Sequence, residues 1–181
     1  SSTVCDTEKM YDNMMNKYQY GNLKHPGLYI DETTMRMCFT HRRWFAVLIS
    51  NLIAEGKKDK ALKALEKCDE EIPAYNVPHD CNSASLELAE AYVACGKPDK
   101  AIPILDAIIK NSREYIAWYL SLGNNYFANS RRYCHERVYA FASAQNVYAK
   151  LAESSAEGKA KYGKKSKALE NELQTLYSAY V

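Results

Sequence analysis

The side chains best suited to metal or nucleophilic chemistry in this 181-residue chain are four histidines and six cysteines. The histidines, His25, His41, His79 and His135, are dispersed, and the cysteines, Cys5, Cys38, Cys68, Cys81, Cys95 and Cys134, form no Cys-x-x-Cys pair. The spacing therefore supports neither a zinc site nor a thioredoxin-like redox pair. The chain has no His-Glu-x-x-His, no Gly-x-Ser-x-Gly and no Gly-rich phosphate loop. His135-Glu136 could serve in an acid–base or metal site, but without companion ligands it reads as a solvated or partly buried helical histidine. Asp69-Glu70-Glu71 reads as a solvated face near a helix end rather than a calcium site. No catalytic residue, metal or cofactor is expected, and the chain is not read as an enzyme. Cys68 and Cys95 fall in helical patterns as small buried hydrophobes, while Cys81, in a loop, is the cysteine open to pairing.

Charge gives little more. The formal net charge is +2, with nothing global that points to nucleic acid. Lys159, Lys161, Lys164, Lys165 and Lys167 cluster around one turn and read as a soluble linker and first helical turn. Arg42-Arg43 and Arg131-Arg132 read as surface ion-pair members. The longest apolar stretch, Trp44 to Ile49, is far short of the ~20 residues that a membrane span needs. The chain opens Ser1-Ser2-Thr3 without an initiator Met, which suggests a domain excised from a longer protein.

Seven glycines and five prolines are too few for a turn-rich β protein, and the apolar periodicity is helical throughout. A modest helix is expected over 5–19. A long one follows the Asp31 N-cap and ends at Gly56. Further helices are expected near 58–71, 83–95, 98–110, 116–128, 132–155 and 164–179. Turns are expected after Asn111 and at Asn129-Ser130, and Gly158 and Gly163 mark the last turn. The fold class is all-α, with about eight helices.

The chain also repeats itself. Gly56 is matched by Gly96, Asp59-Lys60-Ala61 by Asp99-Lys100-Ala101, and Leu65 by Leu105, always 40 residues on. These units resemble tetratricopeptide repeats, helix–turn–helix modules with small residues where the two helices touch. Ala61, Ala89 and Ala101 take those positions, and Tyr92 and Pro73 also match; Ile49 departs, because the family has Gly or Ala there. The resemblance implies an α-α superhelix over 42–181, with units near 42–75 and 82–115, a degenerate remainder over 116–181, and residues 1–41 packing on the repeats.

A repeat of this type implies a non-catalytic protein-interaction or scaffolding role, with a protein or peptide ligand in a concave groove lined by helices near 42–54, 83–94 and 116–128. Arg43, Ser50, Glu90, Trp118, Tyr119, Asn124 and Phe127 are the candidate groove residues. Some tetratricopeptide domains clamp a terminal carboxylate at positions that here carry Ala46, Leu86 and Leu120, so a chaperone-tail receptor is not expected.

A second, narrower resemblance rests on Tyr18-Gln19-Tyr20-Gly21-Asn22, Tyr29-Ile30-Asp31-Glu32, Met35-Arg36 and Asn76-Val77-Pro78-His79. These segments are similar to the C-terminal soluble part of bacterial multi-span membrane proteins related to protein O-mannosyltransferases. That likeness implies an extramembrane tail tethered through missing N-terminal segments; it favours the periplasmic side, whereas six cysteines without a pairing pattern favour the cytoplasmic side. The alternative function is then an accessory that handles the acceptor polypeptide or glycan of a membrane glycosyltransferase-like enzyme.

Overall fold

A computed structural model of the chain describes residues 6–123 and 128–180. Among them are seven α-helices, one π-helical turn, one 3-10 turn and no strand, so the all-α class with tetratricopeptide-like helix pairs holds. The chain divides into two compact units, Ser1–Ala101 and Ile102–Val181.

In the first unit, α1 spans Thr7–Asp12 behind an Asp6 cap that accepts from the Lys9 amide at 3.0 Å. The expected helix to residue 19 instead widens into a π turn over Asn13–Lys17, where the Tyr18 amide reaches the Asn13 carbonyl at 2.9 Å. Helix α2, Glu32–Ala54, begins at the expected cap: Asp31 accepts from the Thr34 amide at 3.0 Å and from its hydroxyl at 2.7 Å. Its inner face, Cys38, Arg42, Phe45, Ile49 and Leu52, is buried at steps of three and four residues. Helices α3 (Lys58–Glu71) and α4 (Ser85–Ala94) both pack on α2 and on each other. Ala61 and Ala89 are fully buried, as small contact residues must be, and Ile49 is absorbed into the core at 1% exposure.

The sequence echo is also an echo of geometry. Gly56 and Gly96 both take φ of 75°, a left-handed value that a side chain would strain. Each ends its helix with the same pair of bonds. The glycine amides reach Ile53 and Val93 carbonyls at 3.0 Å, and the Lys57 and Lys97 amides reach Leu52 and Tyr92 carbonyls at 2.8 Å.

Helix α5 runs unbroken over Pro98–Ser121, so the turn expected after Asn111 is absent and two expected helices are one. Residues 104–121 contain no Gly or Pro, and the buried Leu105, Ile108, Ser112, Ile116 and Tyr119 keep helical phase through Asn111. In the second unit, α6 spans Ala128–Glu153 and α7 spans Ala156–Tyr180. Helix α6 therefore already includes the Asn129-Ser130 expected as a turn. The distal part of α5 is tied to both: Asp106 accepts from Tyr148 at 2.5 Å and from Lys165 at 2.6 Å, and Arg113 pairs with Glu172.

Gly158 and Gly163 lie inside α7 rather than in the turn before it. The turn is Ser154-Ser155, where Ser155 caps the Gly158 amide at 2.9 Å and Ser154 donates to the Leu151 carbonyl at 2.7 Å. A Cβ on Gly158 would stand 2.2 Å from the Leu151 carbonyl oxygen, whereas one on Gly163 would meet only Lys159 Cγ at 3.7 Å. Gly158→Ala should therefore cost about 2–3 kcal/mol, as overpacking against rigid backbone does. Gly163→Ala should instead stabilise by about 0.5–1 kcal/mol through helix propensity. Urea denaturation of the two variants checks the opposite signs.

Candidate functional site

The connector between α3 and α4 is fastened to the buried face of α2. Arg42 is 1% exposed, which corrects its reading as a surface ion-pair member. Its guanidinium donates to the carbonyls of Ile72 (3.1 Å), Val77 (2.6 Å) and Pro78 (3.1 Å), and to Ser83 Oγ (3.3 Å). Burial lowers its pKa, yet arginine stays charged, so the carbonyl dipoles must stand in for solvent. Asn76 Nδ2 donates to the Leu23 and His25 carbonyls at 2.7 Å each, pinning the segment before α2 to the same connector.

A buried Ser–His pair lies beside this arginine. His79 Nδ1 is 2.9 Å from Ser85 Oγ, and Ser83 Oγ is 2.7 Å from Ser85 Oγ. Ser83 donates to the Asp80 carbonyl at 2.9 Å, so Ser85 donates to Ser83 and accepts from a protonated Nδ1. A general base would need the reverse, and both hydroxyls are fully buried, so the pair is structural. Burial, reinforced by the Arg42 charge, pushes the His79 pKa down to about 3 from 6.5. The neutral ring's contribution is thus complete above pH 6.5 and is lost as pH falls toward 3. The loss amounts to about 1.4 kcal/mol per pH unit. His79→Gln should flatten the dependence of the urea midpoint on pH across that window; an unchanged slope would place the proton uptake elsewhere.

No disulfide joins the cysteines among the described residues. Burial pushes the Cys68 thiol up to about 12 and that of Cys134 up to about 11, which disfavours the reactive thiolate at both. Among the described residues no group of three or more His, Cys, Asp or Glu is placed to hold a metal. No helix among them is long and apolar enough to cross a membrane. Within the lysine cluster, Lys165 is engaged by Asp106 and Lys167 by Glu170 at 2.7 Å.

The outer face of α2 gathers exposed basic, polar and apolar side chains. Arg36, Thr40, Arg43, Val47 and Ser50 recur along it at steps of three and four, all exposed. Met37 and Trp44 flank this stripe at 58% and 52% exposure. Trp44 also closes a cleft of about 390 Å³ with Met10, Met14 and Tyr18. On the other side, Arg36 and Arg43 border an open hollow of about 580 Å³ floored by Ile30, Met35 and Phe39. Arg36 is held by Glu32, whereas Arg43 donates to the Asn82 carbonyl at 3.0 Å and Thr40 Oγ1 at 2.8 Å. Glu90 is exposed on α4, which packs on α2.

The expected groove set divides accordingly. Arg43, Ser50 and Glu90 are exposed on α2 and α4 of the first unit. Trp118 is 48% exposed but belongs to α5 in the second unit, not to a separate third groove helix. Tyr119 is corrected to a core residue: it is 5% exposed, clustered with Ile116, Cys134 and Val138. Asn124 and Phe127 lie outside the described residues. The aromatic surface of α2 was missed, because Met37, Trp44 and Val47 share one sequence stretch with core residues and hydrophobicity alone does not divide them.

The Tetratricopeptide repeat family model matches residues 52–122, a span that takes in both glycine turns, α3, α4 and α5. It supports a helical-repeat module of the protein-binding type. No curated protein and no solved structure matches the chain.

Proposed function

We propose that the chain is a non-catalytic interaction scaffold that holds a partner peptide along α2 and α4 of its first unit, with Arg43, Ser50 and Glu90 as polar contacts. The observation that carries this reading is the exposure of Met37, Trp44 and Val47 on a helix whose opposite face is core. Exposed Trp and Arg side by side are the residue types that dominate binding energy at protein interfaces. Arg43 keeps N–H donors for a peptide carbonyl or carboxylate, because its partners in the fold are one carbonyl and one hydroxyl. Trp44→Ala combined with Arg43→Glu should lower capture of the natural partner at least tenfold and move the melting temperature by less than about 2 °C. Equal loss of binding and of folding would make these residues structural.

A second reading, handling of an acceptor polypeptide or glycan beside a membrane glycosyltransferase-like enzyme, is favoured by Tyr18 and Trp44 lining one cleft rimmed by Asp6, Lys9 and Asn13. Sugars stack on aromatic faces and hydrogen-bond to such rims. A saturable change in Trp44 emission with a mannose oligosaccharide supports it; a response to peptide alone leaves the scaffold reading.

A further inference from the structure

In the second unit an open groove of about 690 Å³ runs between α6 and α7. Gln145, Ala149 and Ala152 line it from α6, at steps of four and three. Ala156, Lys159, Gly163, Ser166 and Glu170 line it from α7, at alternating steps of three and four. That spacing makes a narrow seam, the pattern by which one helix meets another, and its Ala and Gly members let a second backbone come close. Two observations distinguish the seam from a plain run of small residues. Ser166 is only 8% exposed and lines the groove, yet no group among the described residues hydrogen-bonds its hydroxyl. A helical serine can return its hydroxyl to the carbonyl four residues back, as Ser178 does to Gln174 at 2.9 Å; Ser166 makes no such bond. Gly163 weakens α7 by its low helix propensity, although a Cβ there would meet only Lys159 Cγ at 3.7 Å. No contact within the chain requires a glycine at that place.

We propose that the groove seats the same helix pair of a second copy of this chain, with a two-fold axis along the groove so that each α6 faces the other copy's α7. Charge selects this occupant. Of the four charged residues lining the groove, Lys167 and Glu170 pair with each other at 2.7 Å, whereas Glu153 and Lys159 are exposed and have no ion pair within the chain. At about 1.5 Å per helical residue, both stand within about 6 Å of the Ser154-Ser155 turn, and Gln145 and Ser166 stand about 14 and 17 Å from it. The two-fold axis therefore sets Glu153 of each copy against Lys159 of the other, and Gln145 against Ser166. A seam that carries both signs is complementary to itself, whereas a uniformly acidic or basic partner would meet a like charge at one of the two. Two helix pairs joined in this way form a four-helix packing.

Sedimentation velocity of the full chain from about 1 to about 200 μM tests this. The expected result is a rise from the 20.6 kDa monomer toward twice that mass as concentration increases. Glu153→Lys and Lys159→Glu should each weaken association at least about tenfold, because each sets like charges together at both symmetry-related contacts. Gly163→Gln, which fills the seam, should weaken it by a similar factor. An equimolar mixture of Glu153→Lys and Lys159→Glu chains should recover the association, since opposite charges then meet at both contacts. Both positions are exposed, so the fold tolerates either reversal, and recovery on mixing cannot come from unfolded chains. The proposal is overturned by a chain that stays monomeric throughout, by variants that associate as the unaltered chain does, or by a mixture that associates no better than either variant alone.

Discussion

Arg42→Ala should destabilise the first unit by about 3–5 kcal/mol, a large share of the stability of an ordinary domain. The side chain is 1% exposed and supplies hydrogen bonds to three carbonyls and one hydroxyl of the α3–α4 connector. Truncation orphans the buried Ile72 and Val77 carbonyls and the Ser83 hydroxyl, and each orphaned buried group costs about 1–3 kcal/mol before relaxation. Arg42→Lys keeps the charge but loses the planar fork, so its cost should be intermediate. Arg43→Ala, one residue on, should cost less than about 1 kcal/mol because that side chain is exposed. Urea unfolding of the three variants measures the ranking. Similar small losses for Arg42→Ala and Arg43→Ala would mean that the connector does not depend on the buried guanidinium.

Ala61→Glu should be at least as damaging, about 4 kcal/mol or more. Ala61 is fully buried on α3 where the repeat pattern places its small contact residue, and Ala101 is buried at the equivalent position. A glutamate there would have to bury a charge without a partner or force α3 off its neighbours. Lys63→Glu, on the exposed side of the same helix, should change stability by no more than about 0.5 kcal/mol. Circular dichroism during thermal melting separates the two; a well-folded Ala61→Glu chain would contradict the register of the repeat.

Glycine turns and caps were the most legible features. Gly56, Gly96 and Asp31 act as their local chemistry dictates, because those bonds depend on few neighbours. Asn111 misled: its weak helix propensity suggested a break, but the helical phase of the buried residues around it prevails through tertiary packing. Gly158 and Gly163 misled for the opposite reason. Both are helical, and for Gly158 the cause is the close approach of the Leu151 carbonyl, which no local pattern reveals. Arg42 could have been found, since it continues the buried series Cys38, Phe45, Ile49 and Leu52 at helical steps. Its charge favoured a surface reading because only the distant carbonyls of residues 72–78 make burial tolerable. The candidate surface was half legible: Arg43, Ser50 and Glu90 followed from the repeat register, whereas Tyr119 and Trp118, adjacent in sequence, were separated into core and surface by packing alone.

The central proposal is that a partner binds along the outer face of α2. Photo-crosslinking from a benzophenone side chain tests this most directly, placed at Val47 on that face and at Lys63 on α3 as a control, both exposed. The account predicts a discrete adduct of higher mass from position 47 in the native cellular setting and none from position 63. A discrete adduct from position 63 with none from 47, or equal diffuse labelling from both, would contradict it.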